Sequence, residues 1–147
     1  MSAKQEPIAS SYAIRAQSLL DRIDYRRANN AKDLDALVHL RYKAYLKEGA
    51  IEKSASERLE DKFDDLDNVY NIGVFIDGHL ASALRLHILK GADAYSPAVE
   101  TFGEVLRPLL AEGKTIIDPN RFVADCDIAH QYPELPYLTL RLANLAA

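Results

Sequence analysis

Hydrophobic positions along this chain follow two different periods, and the switches between them divide it into elements. Ile14, Leu19, Leu20 and Ile23 predict a short helix over 14–23, after a polar stretch, 1–11, that reads as a frayed terminus. A short strand over Tyr25–Ala28 follows. Asn30 is a good N-cap with Asp33 in the first turn, and Leu34, Leu37, Val38, Arg41 and Tyr45 then recur at helical spacing until Gly49. Ser54 or Ser56 is expected to cap a further helix with Leu59, Phe63 and Leu66 inside. Between Val69 and Lys90 the period becomes two. Ile72, Val74 and Ile76 share one face, and Asp77-Gly78 is a type I′ hairpin signal. On the returning strand Leu80, Ser82, Leu84, Leu86 and Ile88 share a face, and Ala81, Ala83, Arg85 and His87 share the other. Ser96-Pro97 opens another helix, with Phe102, Val105, Leu106 and Leu109 as its expected buried side and Gly113 as its stop. A strand over Thr115–Asp125 precedes a last helix that carries Leu138, Leu142 and Leu145.

Composition narrows the class without naming an activity. A chain of 147 residues with 48% hydrophobic content can bury one real core. Its net charge of -4 argues against general nucleic-acid binding. No apolar run approaches the roughly 20 residues needed to span a bilayer. One cysteine, Cys126, excludes an internal disulfide framework and suits a reducing cytoplasm, the expected location. It reads as a small buried hydrophobe. Four scattered histidines show no zinc-ligand spacing.

Three charged stretches sit beside apolar sequence: Glu60-Asp61-Lys62-Phe63-Asp64, Ala83-Leu84-Arg85-Leu86, and Asp118-Pro119-Asn120-Arg121-Phe122. Burying charge is costly unless it is paired, so these stretches predict acid–arginine pairs along a cleft. Asp61 and Asp64, three apart, neighbour each other on a helix surface, either as a solvated acidic face or as members of such pairs. Arg41 lies in an apolar stripe, where it either snorkels to solvent or forms a buried pair. Asp118 and Arg121 read as a site or as a structural pair that supports the strand.

The element order resembles the first part of the GCN5-related N-acetyltransferase fold, an α/β (α+β) architecture with a mostly antiparallel sheet flanked by helices. The motifs resemble one branch of it, the acyl-homoserine lactone autoinducer synthases and the N-acyl amino acid synthases. Four features carry the likeness: Arg41 preceding Tyr42 and Tyr45, the Asp61-Lys62-Phe63-Asp64 pattern, the Asp77-Gly78 turn ending in Arg85-Leu86, and Asp118 to Phe122. Asp118 stands where the family usually has Glu. The stretch Tyr132–Tyr137 is closer to the N-acyl amino acid synthases.

The resemblance implies an N-acyltransferase that moves a fatty acyl group from an acyl carrier protein or acyl-CoA thioester to an amino acid. The alternatives are a homoserine lactone synthase or a non-catalytic interaction module. It implies Asp118 and Arg121 as catalytic residues, and Arg41, Tyr45, Asp61, Asp64, Arg85 and Phe122 as substrate-binding ones. No bound cofactor is implied. The acyl donor is a co-substrate, and the missing Gly-rich pyrophosphate loop fits an acyl carrier protein. The oxyanion donor is expected to be a backbone N–H near the Asp118 strand, and the acyl pocket to lie at the third or last helix. Residues 1–23 are expected to form an N-terminal extension and 24–147 the N-terminal portion of the domain. The family fold continues with a strand beside the Asp118 strand. The chain alone is therefore expected to transfer acyl groups poorly, and its open sheet edge to permit self-association.

Overall fold

The computed structural model describes residues 10–146; of the stretch 1–11 expected to fray, 1–9 lie outside the described residues, whereas Ser10 caps the first helix and Ser11 opens it. Ten elements follow in order: α1 (Ser11–Leu20), β1 (Ile23–Arg27), α2 (Ala31–Lys47), a 3₁₀ turn (Lys62–Asp65), β2 (Val69–Ile76), β3 (His79–Leu89), α3 (Pro97–Ala111), β4 (Ile116–Ala124), α4 (Cys126–Gln131) and α5 (Leu135–Ala146). The four strands form one antiparallel sheet in the order β1-β2-β3-β4.

The sheet has two different faces. One carries Val74, Ile76, Leu84 and Leu86 and is covered by Leu135, Leu138 and Leu142 of α5 and Leu19 of α1. Ser82 and Thr139 share a hydrogen bond of 2.6 Å that pins α5 to β3. The other face receives Leu37 and Leu40 of α2 on Ala83 and Val123. Gly73 permits this approach, because a Cβ there would lie 2.8 Å from the Phe75 ring and 3.2 Å from Leu37. All the charged site residues belong to this second face or to the chain crossing it.

Local chemistry accounts for the element ends. Asn30 caps α2 by accepting from the Asp33 N–H, and Gly49 ends it at φ +70°. Ser96 caps α3 with Pro97 at its first position. Asp77 and Gly78 both have positive φ, as a type I′ turn requires.

Several expectations are corrected. The first helix stops at Leu20, and Ile23 pairs with Ile76 as the first residue of β1, so cross-strand pairing overrides the helical spacing. Ile14 is exposed, and Leu19 carries the burial. Residues 51–61 form no helix: the Ser54 and Ser56 hydroxyls bond each other, and Glu57 takes a positive φ that no helix interior accepts. Phe102 and Val105 of α3 are exposed, because Phe102 leaves helical geometry (φ -121°, ψ 29°) and the stripe re-forms on Val99, Leu106 and Leu110. Leu145 is exposed, and Ala146, one turn beyond Leu142, packs inward instead.

A bulge in β3 also changes side-chain parity. Val74 pairs with Ser82 and Phe75 with Leu80, which leaves Ala81 as the extra residue. Leu80 therefore joins the α2 face and Ala81 the α5 face, the reverse of strict alternation. A sixth helix-like piece, α4, was not expected. Asp125 caps it by accepting from the Asp127 and Ile128 N–H groups at 3.1 Å.

Candidate active site

The site starts from one turn of backbone. Asp61 is the N-cap of the 3₁₀ turn and accepts from the Phe63 N–H at 3.0 Å. Asp64 reaches back to the Asp61 N–H at 3.0 Å, which completes a capping box. The expected helix surface is therefore a single turn, but it sets the two carboxylates side by side all the same. Their remaining lone pairs face the sheet, where three arginines meet them.

Arg41, from the buried face of α2, donates from Nη1 to Asp64 at 2.8 Å and from Nη2 to Asn71 at 2.5 Å. It is fully buried and does not snorkel, and its Nε has no partner among the described residues. Arg85, from β3, donates to Asp61 at 2.7 and 3.2 Å and forms an ion pair with Asp64 at 2.9 Å. Its Nε donates to Asn120 at 2.6 Å. Arg121, from β4, donates to Asp61 from Nε at 3.2 Å and from Nη2 at 2.6 Å. Asp61 thus ties β3 to β4 through two guanidiniums.

Burial alone would raise the pKa of both aspartates. The hydrogen bonds from Arg85 and Arg121 outweigh it at Asp61, and the charge and hydrogen bond of Arg41 outweigh it at Asp64. Both carboxyls stay below the usual range and are anions at neutral pH. Burial pulls Arg41 down from its ordinary value against the pull of Asp64, and the Asp61 hydrogen bonds push Arg121 up against its own burial.

A second chain of bonds supports Arg85 from below. Asn120 accepts from Arg85 and donates to the ring Nδ1 of His87 at 3.1 Å and to the Asp118 carbonyl at 3.1 Å. Nδ1 is then an acceptor, so the ring proton sits on Nε2 and is donated to the Phe63 carbonyl at 3.0 Å. Burial lowers the His87 pKa and keeps the ring neutral. Alternation marked His87 on the Arg85 face. Asn71 and Asn120 were missed, although a polar residue at an inward strand position is the signal that would have found them.

Asp118 is buried, and its Oδ2 accepts from the Ala98 N–H at 2.9 Å, in the first turn of α3. It does not pair with Arg121, whose partner is Asp61. Arg121 itself sits in the left-handed region at φ +51°. That conformation belongs to a β4 bulge: Ala83 pairs with Val123 and Arg85 with Asn120, so Arg121 and Phe122 together oppose Leu84.

The bulge aims two neighbouring side chains. The Arg121 guanidinium lies 5.2 Å from the centroid of the Tyr45 ring. Tyr45 and Phe122 line a cavity of about 560 Å³ with Leu40, Ala44, Val123 and Ala124, and Lys43, Lys47, Glu48, Asp125 and Asp127 supply charge to its wall. The cavity lies between α2 and the end of β4, away from α3 and α5. Cys126 is part of this wall and not of the core, with its Sγ against the Lys47 Nζ and 3.8 Å from His130. Among the described residues no cluster of His, Cys, Asp or Glu could hold a metal, and no helix is long and apolar enough to cross a membrane.

A sequence profile of the N-acyl amino acid synthase FeeM matches residues 36–146. The chain belongs to the FeeM family of N-acyl amino acid synthases. This FeeM-family stretch begins inside α2 and contains all eight residues singled out above, from Arg41 to Phe122. A solved structure agrees in fold: FeeM, an N-acyl amino acid synthase from uncultured soil microbes, superposes with a TM-score of 0.59 at 20% identity. The match covers 85% of this chain and 66% of FeeM, so the chain spans just under two thirds of that protein's length. No curated protein sequence matches. Within the branch that the motifs resembled, the family is thus the one toward which the Tyr132–Tyr137 stretch leaned, and the fold is the expected acyltransferase fold.

Proposed function

We propose that this chain carries the site of an N-acyltransferase that joins a fatty acyl group to the amine of an amino acid. The observation that carries this reading is the Arg85–Asp61–Arg121 bridge, which ties down the β4 bulge beside the cavity that Tyr45 and Phe122 line. Such a reaction needs a rigid wall, a base and an oxyanion donor.

The amine nitrogen attacks the thioester carbonyl carbon, a C–N bond forms, and the negative charge moves to the carbonyl oxygen. The C–S bond then breaks, the thiolate leaves with the carrier, and the amine gives up a proton. Asp61 and Asp64 are held as anions by arginines and are poor acceptors for it. Asp118 has no guanidinium partner among the described residues, which supports it as the group that takes the proton, directly or through water. The bulge at Arg121–Phe122 disrupts the β4 ladder, and its released N–H is our choice of oxyanion donor. Arg41, Arg85, Asp61 and Asp64 hold the wall in place, and Tyr45 and Phe122 line the acyl cavity.

An acyl carrier protein is the donor that the chain after β4 favours over coenzyme A. The N–H groups opening α4, which a pyrophosphate would need, are taken by the Asp125 carboxylate, and Asp127 adds a second negative charge. Purified chain incubated with acylated carrier protein, acyl-CoA and a mixture of amino acids is the test, alongside lipid extracts of expressing cells. N-acyl amino acids identified by mass spectrometry, formed faster from the carrier protein, support the reading. Absence of any acylated amine from both sources, with no binding of acylated carrier protein, overturns it.

A further inference from the structure

The charge inventory of the site does not close. Three guanidiniums, on Arg41, Arg85 and Arg121, share two carboxylates, on Asp61 and Asp64, which leaves one positive charge over. The excess has a definite place. The Arg41 and Arg85 side chains are 0% and 1% exposed, and their charges are enclosed by both aspartates, Asn71 and Asn120. The Arg121 side chain is 27% exposed. It uses Nε and Nη2 on one oxygen of Asp61, and its Nη1 donates to no carboxylate among the described residues.

Three further features make Arg121 a built anion-binding group and not a stray surface charge. Its backbone is held at φ +51°, a left-handed conformation that a non-glycine residue keeps only where the surroundings enforce it. Asp61 locks two of its nitrogens, so the fork is pre-organised. Its guanidinium carbon lies 5.2 Å from the centroid of the Tyr45 ring, and Tyr45 and the next residue, Phe122, belong to the cavity wall, so Arg121 borders the proposed substrate space.

Resting on the function proposed above, we propose that Arg121 reads the α-carboxylate of the acceptor, and so selects amino acids over simple amines. The open edge of the guanidinium donates to the carboxylate, while Asp61 keeps the other edge from turning away. The acceptor then arrives with one end fixed, and its amine is presented along β4 toward Asp118. The same chemistry would suit a phosphate on the donor's pantetheine arm, and the test must separate the two sources.

The experiment measures binding to the purified chain by calorimetry, without turnover. The probes are an N-acyl amino acid, its carboxamide, and the acylated amine lacking the carboxyl group, with pantetheine and phosphopantetheine as a second pair. Wild type is expected to prefer the acid over the carboxamide by at least about tenfold, as a charge-assisted contact requires. Arg121→Gln is expected to bind acid and carboxamide alike, and Arg121→Lys, which keeps charge but not the fork, to recover part of the preference. Melting curves of both variants establish that they are folded. Wild type that binds acid and carboxamide equally overturns this assignment and leaves the acyltransferase reading intact. A variant that loses only the preference for phosphopantetheine over pantetheine also overturns it, by assigning the anion to the donor. Failure of the folded chain to bind any acylated probe defeats both.

Discussion

Arg121 donates from two nitrogens to a single oxygen of Asp61, at 3.2 and 2.6 Å, across sixty positions of sequence. Asp61 belongs to a one-turn cap and Arg121 to a strand bulge, so two local irregularities fix each other. Arg85 completes the bridge from the middle of the sheet. The geometry of the proposed site is therefore held by ion pairs whose members are unequally buried, and that inequality sets what each substitution does.

Asp61→Asn leaves Arg85 nearly enclosed with half its counter-charge. Loss of one partner from a buried pair typically costs about 3–5 kcal/mol, and the partial exposure of Asp61 places this variant at the low end. Arg121→Gln, at the open end of the same bridge, is expected to cost about 1 kcal/mol or less. Urea unfolding midpoints check the order, which reverses if Arg121 is the structural member.

Stability is expected to fall on acidification in two stages. His87 is neutral in the fold with a lowered pKa, so its contribution is complete above the unfolded value of about 6.5 and is lost as pH drops toward the folded value. Asp61 and Asp64 are also depressed, so theirs is complete above the unfolded carboxyl value of about 4 and is lost below it. His87→Gln, which can still donate to the Phe63 carbonyl, is expected to abolish the first stage alone. Denaturation midpoints from pH 7 to pH 3 read both stages.

Gly73→Ala introduces a methyl group 2.8 Å from the Phe75 ring, with Leu80 and Leu37 also close. Overpacking of this kind typically costs about 1–3 kcal/mol. Because Leu37 belongs to α2, the displaced helix carries Arg41 and Tyr45 with it. A lowered melting temperature together with weakened acyl-probe binding is expected, and a melting temperature equal to wild type would rule out the close approach.

Ala44 lines the cavity from α2. Ala44→Phe fills part of it, and on the proposed function the chain-length distribution of products is expected to shift toward shorter acyl groups. Mass spectrometry of the acylated products reads the shift. An unchanged distribution would place the acyl chain elsewhere.

Much of the fold is legible in the chain because its signals are local. Asn30 and Gly49 bracket α2, Ser96-Pro97 and Gly113 bracket α3, and Asp77-Gly78 sets the hairpin, each through the conformation of one or two residues. Alternation placed Arg85 and His87 on one face correctly. It failed at Leu80 and Ala81, since a bulge inverts parity and leaves no mark in the period. The expected helix before Phe63 failed because of long-range bonds: the Ser54 and Leu59 N–H groups donate to the Tyr42 hydroxyl and the Val38 carbonyl of α2.

The charged residues themselves were visible as anomalies, and the family motifs grouped them. The sequence by itself determined which residues would have to be neutralised, because a guanidinium inside an apolar stripe and a carboxylate in a buried strand each demand a partner. Only the tertiary structure decided the pairing: Asp118 goes to the α3 backbone, while Arg121 goes to Asp61. Both outcomes satisfy the same burial cost, so composition and spacing cannot choose between them. The choice is made by the β4 bulge, which turns Arg121 through a left-handed conformation toward the capping turn, and the two elements meet only once the sheet has formed.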